Sequence, residues 1–201
     1  MPEILSASPA NTDVIPTHLA DVGRVLTEVD IFELQRVADI FRNARDRGSF
    51  IYIAGNGGSS STASHWVNDL GKATKRSGRP PLKVMCLSDN TAWFSALSND
   101  EGYDRSFAGQ LENFASPGDV LTCLSASGNS ANLLRAVELA RARSLTTVAL
   151  VGFDGGALKG IVDQSVWVRT GKGAYELVED AHSVICHAIT RHLVADRPDP
   201  A

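Results

Sequence analysis

The sequence predicts a doubly wound, flavodoxin-like α/β domain, a three-layer sandwich with a five-stranded parallel sheet preceded by N-terminal helices. Three observations predict it. Short apolar runs recur after Gly48, helical stretches separate them, and most runs are apolar on both faces rather than alternating. Strands of a parallel sheet covered by helices on both sides have that pattern, and the alternation of strand and helix requires right-handed crossovers.

Along the chain, residues 1–16 are rich in proline and serine without periodicity and read as a disordered or extended N-terminus. A short helix is expected over 18–29. Asp30 followed by Glu33 has the spacing of a capping box, and Leu34, Val37, Ala38, Phe41 and Ala44 then recur at helical intervals until Gly48. This helical pair offers an apolar stripe to the domain or to another subunit. Strands are expected at 50–54, 82–87, 120–124, 147–151 and 165–168, with helices at 62–75, 91–97, 105–114, 130–143 and 174–195. Residues 17–195 therefore read as one domain and 196–201, DRPDPA, as a tail.

The chain has 201 residues, 43% of them hydrophobic, enough for a sizeable core. Its formal net charge of -4 lacks the basic excess that binding a phosphate backbone needs, so direct nucleic-acid binding is not expected. No apolar run is long enough to span a bilayer, and the opening residues lack a basic stretch followed by an apolar one, so the expected location is cytoplasmic, away from membranes. An odd number of scattered cysteines fits a reducing compartment. Cys86 and Cys123 lie in strand-like runs and read as core. Cys186 adjoins His187, but neighbouring helical residues point about 100° apart, so packing is the better reading there as well.

In open parallel sheets ligands bind beyond the carboxyl ends of the strands. Two such turns are alike: residues 55–62, GNGGSSST, and residues 125–130, SASGNS. Each runs from a strand into a helix. Glycine admits close approach, serine hydroxyls donate, and free N–H groups at a helix start favour negative charge, so the pair points to a phosphate group. One such turn alone would read as capping. A dinucleotide fingerprint fits poorly, because Ser60 stands where the final glycine belongs and Asp89 lies beyond the usual separation of about twenty residues. A Walker motif is absent as well.

His65 and Asp69 share one face of the helix after the first turn. They can bind a divalent metal, act as acid and base, or form a solvated pair. On the last helix Glu176, Asp180, Ser183 and His187 make a stripe, with Glu179 on a neighbouring face. Glu179 and His187 are separated by a rise of about 12 Å, too far for one mononuclear site to take both from a straight helix. If both serve the same kind of pocket, they come from different subunits.

Residues 31–193 resemble the SIS-domain family. Within it, the runs AGNGGSSSTASHWVNDL, SASGNSAN and VGFDGG, the Asn99-Asp100 pair and the helix EDAHSVICHAI are similar to the bacterial phosphoheptose isomerases. The resemblance implies a homotetramer that converts sedoheptulose 7-phosphate to the aldoheptose 7-phosphate through an enediol, often with zinc. It implies substrate contacts from Asn56, Gly57, Gly58, Asn99, Asp100, Ser125, Ala126 and Ser127, with Ser130 completing the phosphate nest and Ser59 assisting. His65 and His187 fall on the family's metal histidines, and His187 on its acid-base group. Asp69 replaces the catalytic glutamate, Glu179 the metal-binding glutamine and Ala126 a threonine. Asp69 and His187 are thus the expected catalytic pair, and His65, Asp69, Glu179 and His187 the expected zinc ligands. The rival reading is a non-catalytic SIS-domain protein that senses sugar phosphates or binds the initiator DnaA, and the presence of His187 favours catalysis.

Overall fold

Side chains alternate across a strand. In β1 (Phe50–Gly55) this sends Ile51 and Ile53 into one apolar layer and Tyr52 and Ala54 into the other. In a computed structural model that describes residues 13–77 and 79–195, the same division runs through β2 (Lys83–Cys86), β3 (Val120–Ser125), β4 (Thr146–Val151) and β5 (Gln164–Trp167). All pairings are parallel, in the order β2-β1-β3-β4-β5.

The helices are α1 (Val14–Thr27), α2 (Ile31–Arg47), α3 (Gly58–Ala73), α4 (Thr91–Asp100), α5 (Ala108–Phe114), α6 (Ala131–Ala142), α7 (Gly156–Ile161) and α8 (Tyr175–Ala195). Residues of α1, α2, α3 and α8 pack on one face, around the fully buried Phe41 and Trp66, whose rings lie 5.4 Å apart. Residues of α5, α6 and α7 cover the other face. The crossovers after β1 and β3 therefore use opposite faces, and the carboxyl ends of these adjacent strands form the switch point where such sheets bind ligands.

Several boundaries differ from the sequence expectation. Helix α1 begins at Val14, so residues 14–16 are helical; Pro16 fits because the first N–H groups of a helix lack intrahelical partners. The expectations for residues 1–12 and 196–201 lie outside the described residues. Asp30 caps α2 by accepting from Phe32 N at 2.8 Å, but Glu33 reaches across to Trp167 N at 3.1 Å instead of closing a capping box. Helix α3 starts at Gly58 rather than 62, because Gly57, at φ 55°, turns the chain early and makes the serines its first turn. Tyr103–Arg105 forms a separate 3₁₀ turn ahead of α5. Helix α7 went unanticipated, since six residues hold too little of a helical period to be read.

Candidate active site

Both serine-rich turns open at the switch point. Register pairs Gly55 with Leu124, so the turn leaving β1 and the turn leaving β3 lie side by side. They enclose a cavity of about 320 Å³ lined by Asn56, Gly57, Gly58, Ser59, Ser125, Ala126, Ser127, Ser130 and Glu179, together with Leu124 and Tyr175. At Gly128, φ is 65° and a Cβ would stand 2.1 Å from Gly155 O, so only glycine lets the second turn fold this tightly.

The hydroxyls are poised as donors. Ser125 Oγ accepts from Gly128 N at 3.0 Å and Ser127 Oγ from Asn129 N at 3.3 Å, which leaves each O–H hydrogen for a ligand. Ser130 is the N-cap of α6 yet makes no capping hydrogen bond, so its hydroxyl is uncommitted. Among the described residues no cation lines the cavity, and an anion here meets hydroxyls and the N-termini of α3 and α6, which carry partial positive charge. Of the described residues that line it, Glu179 alone is charged. A Cβ on Gly58 would lie 2.2 Å from Glu179 Oε2, so the carboxylate rests directly on that glycine. Burial, then Glu176 and Asp180, push its pKa up.

A second cluster sits further along α8. His65 Nε2 lies 3.0 Å from His187 Nε2, and Asp69 Oδ2 lies 3.3 Å from each imidazole nitrogen. Two nitrogens and an oxygen are a donor set suited to zinc. The edge of a tetrahedron with metal–ligand bonds near 2.0–2.1 Å is about 3.3 Å, so the three residues fit such an ion and leave a fourth position open. Asp69 and His187 also line a groove beside Thr190 and Arg191. Glu179 does not join this cluster, whose ligand atoms all lie within 4.8 Å of one another, because it lines the serine cavity instead.

Asn99 and Asp100 end α4 exposed, Asn99 Nδ2 donating to Asp100 Oδ1 at 2.7 Å, and they do not line the serine cavity. Asp180 pairs with His18 of α1 at 2.8 Å. Cys186 is buried and burial raises its pKa well above normal, so it offers no thiolate. Sequence reasoning passed over Tyr175, although it follows β5 at the ligand-binding edge, and over Asn132, which stands in the quoted SASGNSAN run. Nothing in the sequence pointed to Tyr103.

The sequence pattern of the SIS domain matches residues 17–152. The phosphoheptose isomerase of Shewanella denitrificans is 33% identical over 179 residues, 89% of this chain and 88% of the relative. That of Chlorobaculum tepidum is 37% identical over 169 residues, 84% of this chain and 78% of the relative. The solved phosphoheptose isomerase of Neisseria gonorrhoeae superposes with a TM-score of 0.81 at 26% identity, covering 90% of this chain and 97% of its own. A switch-point cavity of serines and glycines and these matches over most of the chain lead to one conclusion: the chain belongs to the SIS-domain family, among the phosphoheptose isomerases.

Proposed function

We propose that this chain is an aldose-ketose isomerase of a sugar phosphate, converting sedoheptulose 7-phosphate to D-glycero-D-heptose 7-phosphate through an enediolate. The observation that carries the reading is the single cavity formed by the two serine-rich turns at the switch point. Ser125, Ser127, Ser130 and the first N–H groups of α3 and α6 hold the phosphate. Moving a carbonyl between C1 and C2 needs one group to take a carbon-bound proton and another to protonate oxygen. Asp69 and His187, 3.3 Å apart, are the pair for that work. His65, Asp69 and His187 would hold zinc, which when bound supplies Lewis-acid polarisation of the sugar oxygens.

The same reading makes the protein a homotetramer with active sites between subunits, in the cytoplasm. The serine cavity and the His65–Asp69–His187 cluster stand about 12 Å apart along α8, which favours assembly of one complete site from two chains. Val14, Ile15 and Leu19 of α1 and Ile31 and Phe32 of α2 are exposed, and such an apolar face suits a second copy. Asn99 and Asp100 keep their substrate role in that assembly.

The test is turnover of sedoheptulose 7-phosphate, with and without zinc, by the wild type and by Asp69→Asn and His187→Ala proteins. Unchanged turnover in both variants would remove the mechanism. Sugar phosphates that raise the melting temperature without conversion would point to the sensing reading instead. Mixing Ser127→Ala subunits, which bind substrate weakly, with inactive His187→Ala subunits tests the shared site: mixed oligomers show a component with the wild-type KM only if the two residues act across an interface.

A further inference from the structure

Asn56 enters the cavity already engaged on its other side. Its Oδ1 accepts from the Tyr103 hydroxyl at 2.8 Å and from Asn132 Nδ2 at 2.9 Å, while its Nδ2 donates to Asn132 Oδ1 at 2.9 Å. An amide oxygen has two lone pairs and an amide nitrogen two hydrogens. The oxygen is therefore saturated, and one N–H is left for a ligand. Asn132 has no exposed surface, and Asn132 Nδ2 also donates to Ser106 Oγ, at 3.1 Å. With both its donors engaged, it cannot turn away without stranding a buried polar group.

We propose that Asn132, helped by Tyr103, is a positioning residue that presents Asn56 to the substrate as a hydrogen-bond donor only. The inference rests on the isomerase reading above. A donor-only amide suits an oxygen that gains negative charge as the neighbouring carbon loses its proton, and it offers nothing to a donor. The reciprocal amide pair also ties the turn after β1 to the first turn of α6, so both halves of the phosphate cradle keep one spacing.

The experiment is a double-mutant cycle on sedoheptulose 7-phosphate turnover, using Asn56→Ala, Asn132→Leu and their combination, with Tyr103→Phe beside it. Expected are a loss in kcat/KM of roughly tenfold for Asn132→Leu and about threefold for Tyr103→Phe, and less than twofold from Asn132→Leu once Asn56 is alanine. A purely structural residue would lower the melting temperature and give losses that add; additive losses overturn the proposal. Should Asn132→Leu fail to fold, Tyr103→Phe decides, because Tyr103 is 52% exposed and the substitution keeps its ring while removing only the hydroxyl that bonds Asn56. In that case unchanged kcat/KM overturns the proposal. If the wild type converts no sugar phosphate, the isomerase reading fails. The same cycle, read as the Kd for inorganic phosphate by calorimetry, then tests the positioning by the same additivity criterion.

Discussion

The two ends of the sheet treat backbone N–H groups in opposite ways. At the amino ends of the strands, carboxylates close them: Asp119 accepts from Phe50 N at 2.8 Å and Ser116 N at 2.9 Å, and Asp163 accepts from Thr147 N and Thr147 Oγ1, both at 2.7 Å. At the carboxyl ends, glycines and neutral serines bend the chain into helix starts and leave donors facing a cavity. A fixed internal carboxylate stabilises the fold but would compete with an incoming phosphate. Neutral hydroxyls leave the place of the anion open. Among the described residues that line this cavity, Glu179 alone is charged.

The sharpest break would come from His187→Ala. The side chain is half exposed, so the fold should persist with a melting temperature within about 2 °C of wild type. Turnover of sedoheptulose 7-phosphate should fall by about 10²–10⁴-fold in a steady-state assay, the usual contribution of an acid-base group.

Next in size is the acid sensitivity of the core beneath the ligand end. His182 is 1% exposed, neither ring nitrogen makes a well-formed hydrogen bond among the described residues, and burial lowers its pKa from 6.5 to about 4 against a smaller opposing pull from a weak contact with the Val151 backbone. Neutral in the fold and protonated more readily when unfolded, it contributes fully above pH 6.5. Its contribution, about 3 kcal/mol, should be lost as pH falls from 6.5 to 4. Urea unfolding across that range should give a steeper acid decline for wild type than for His182→Leu.

Asp119→Ala probes the opposite end. Two part-buried N–H groups, of Phe50 and Ser116, lose their acceptor, so stability should drop by about 2 kcal/mol in urea unfolding, with kcat and KM unchanged per folded molecule. A matching loss of activity would break the division between the two ends. Smallest is Ser127→Ala, which should raise KM by roughly fivefold to tenfold while stability stays within about 0.5 kcal/mol of wild type. Equal effects on both would mean that the serine is a turn residue and no more.

Strands, their order of occurrence and the chemistry of both serine-rich turns were legible in the sequence, because each depends on neighbours in the chain. Apolar runs such as Phe50–Gly55 announce burial on both faces, and glycine beside serine before a helix announces an open N-terminus. His65 and Asp69 could likewise be placed together by helical period alone. Pairings across the fold were not legible. Glu33 reaching Trp167, His187 closing on Asp69, and Asn132 gripping Asn56 join residues far apart in sequence, and periodicity carries no information about which helix faces which.

What the sequence determined by itself was the kind of domain and the kind of ligand, since local pattern sets strand, helix and turn. Only tertiary structure decided that both turns share one cavity, that Glu179 lines that cavity while His187 stands with His65 and Asp69, and that Asn56 faces the cavity with a single free N–H. The physical reason is that hydrogen bonds and coordination depend on distances of a few ångströms, which packing sets only after the layers have closed on one another.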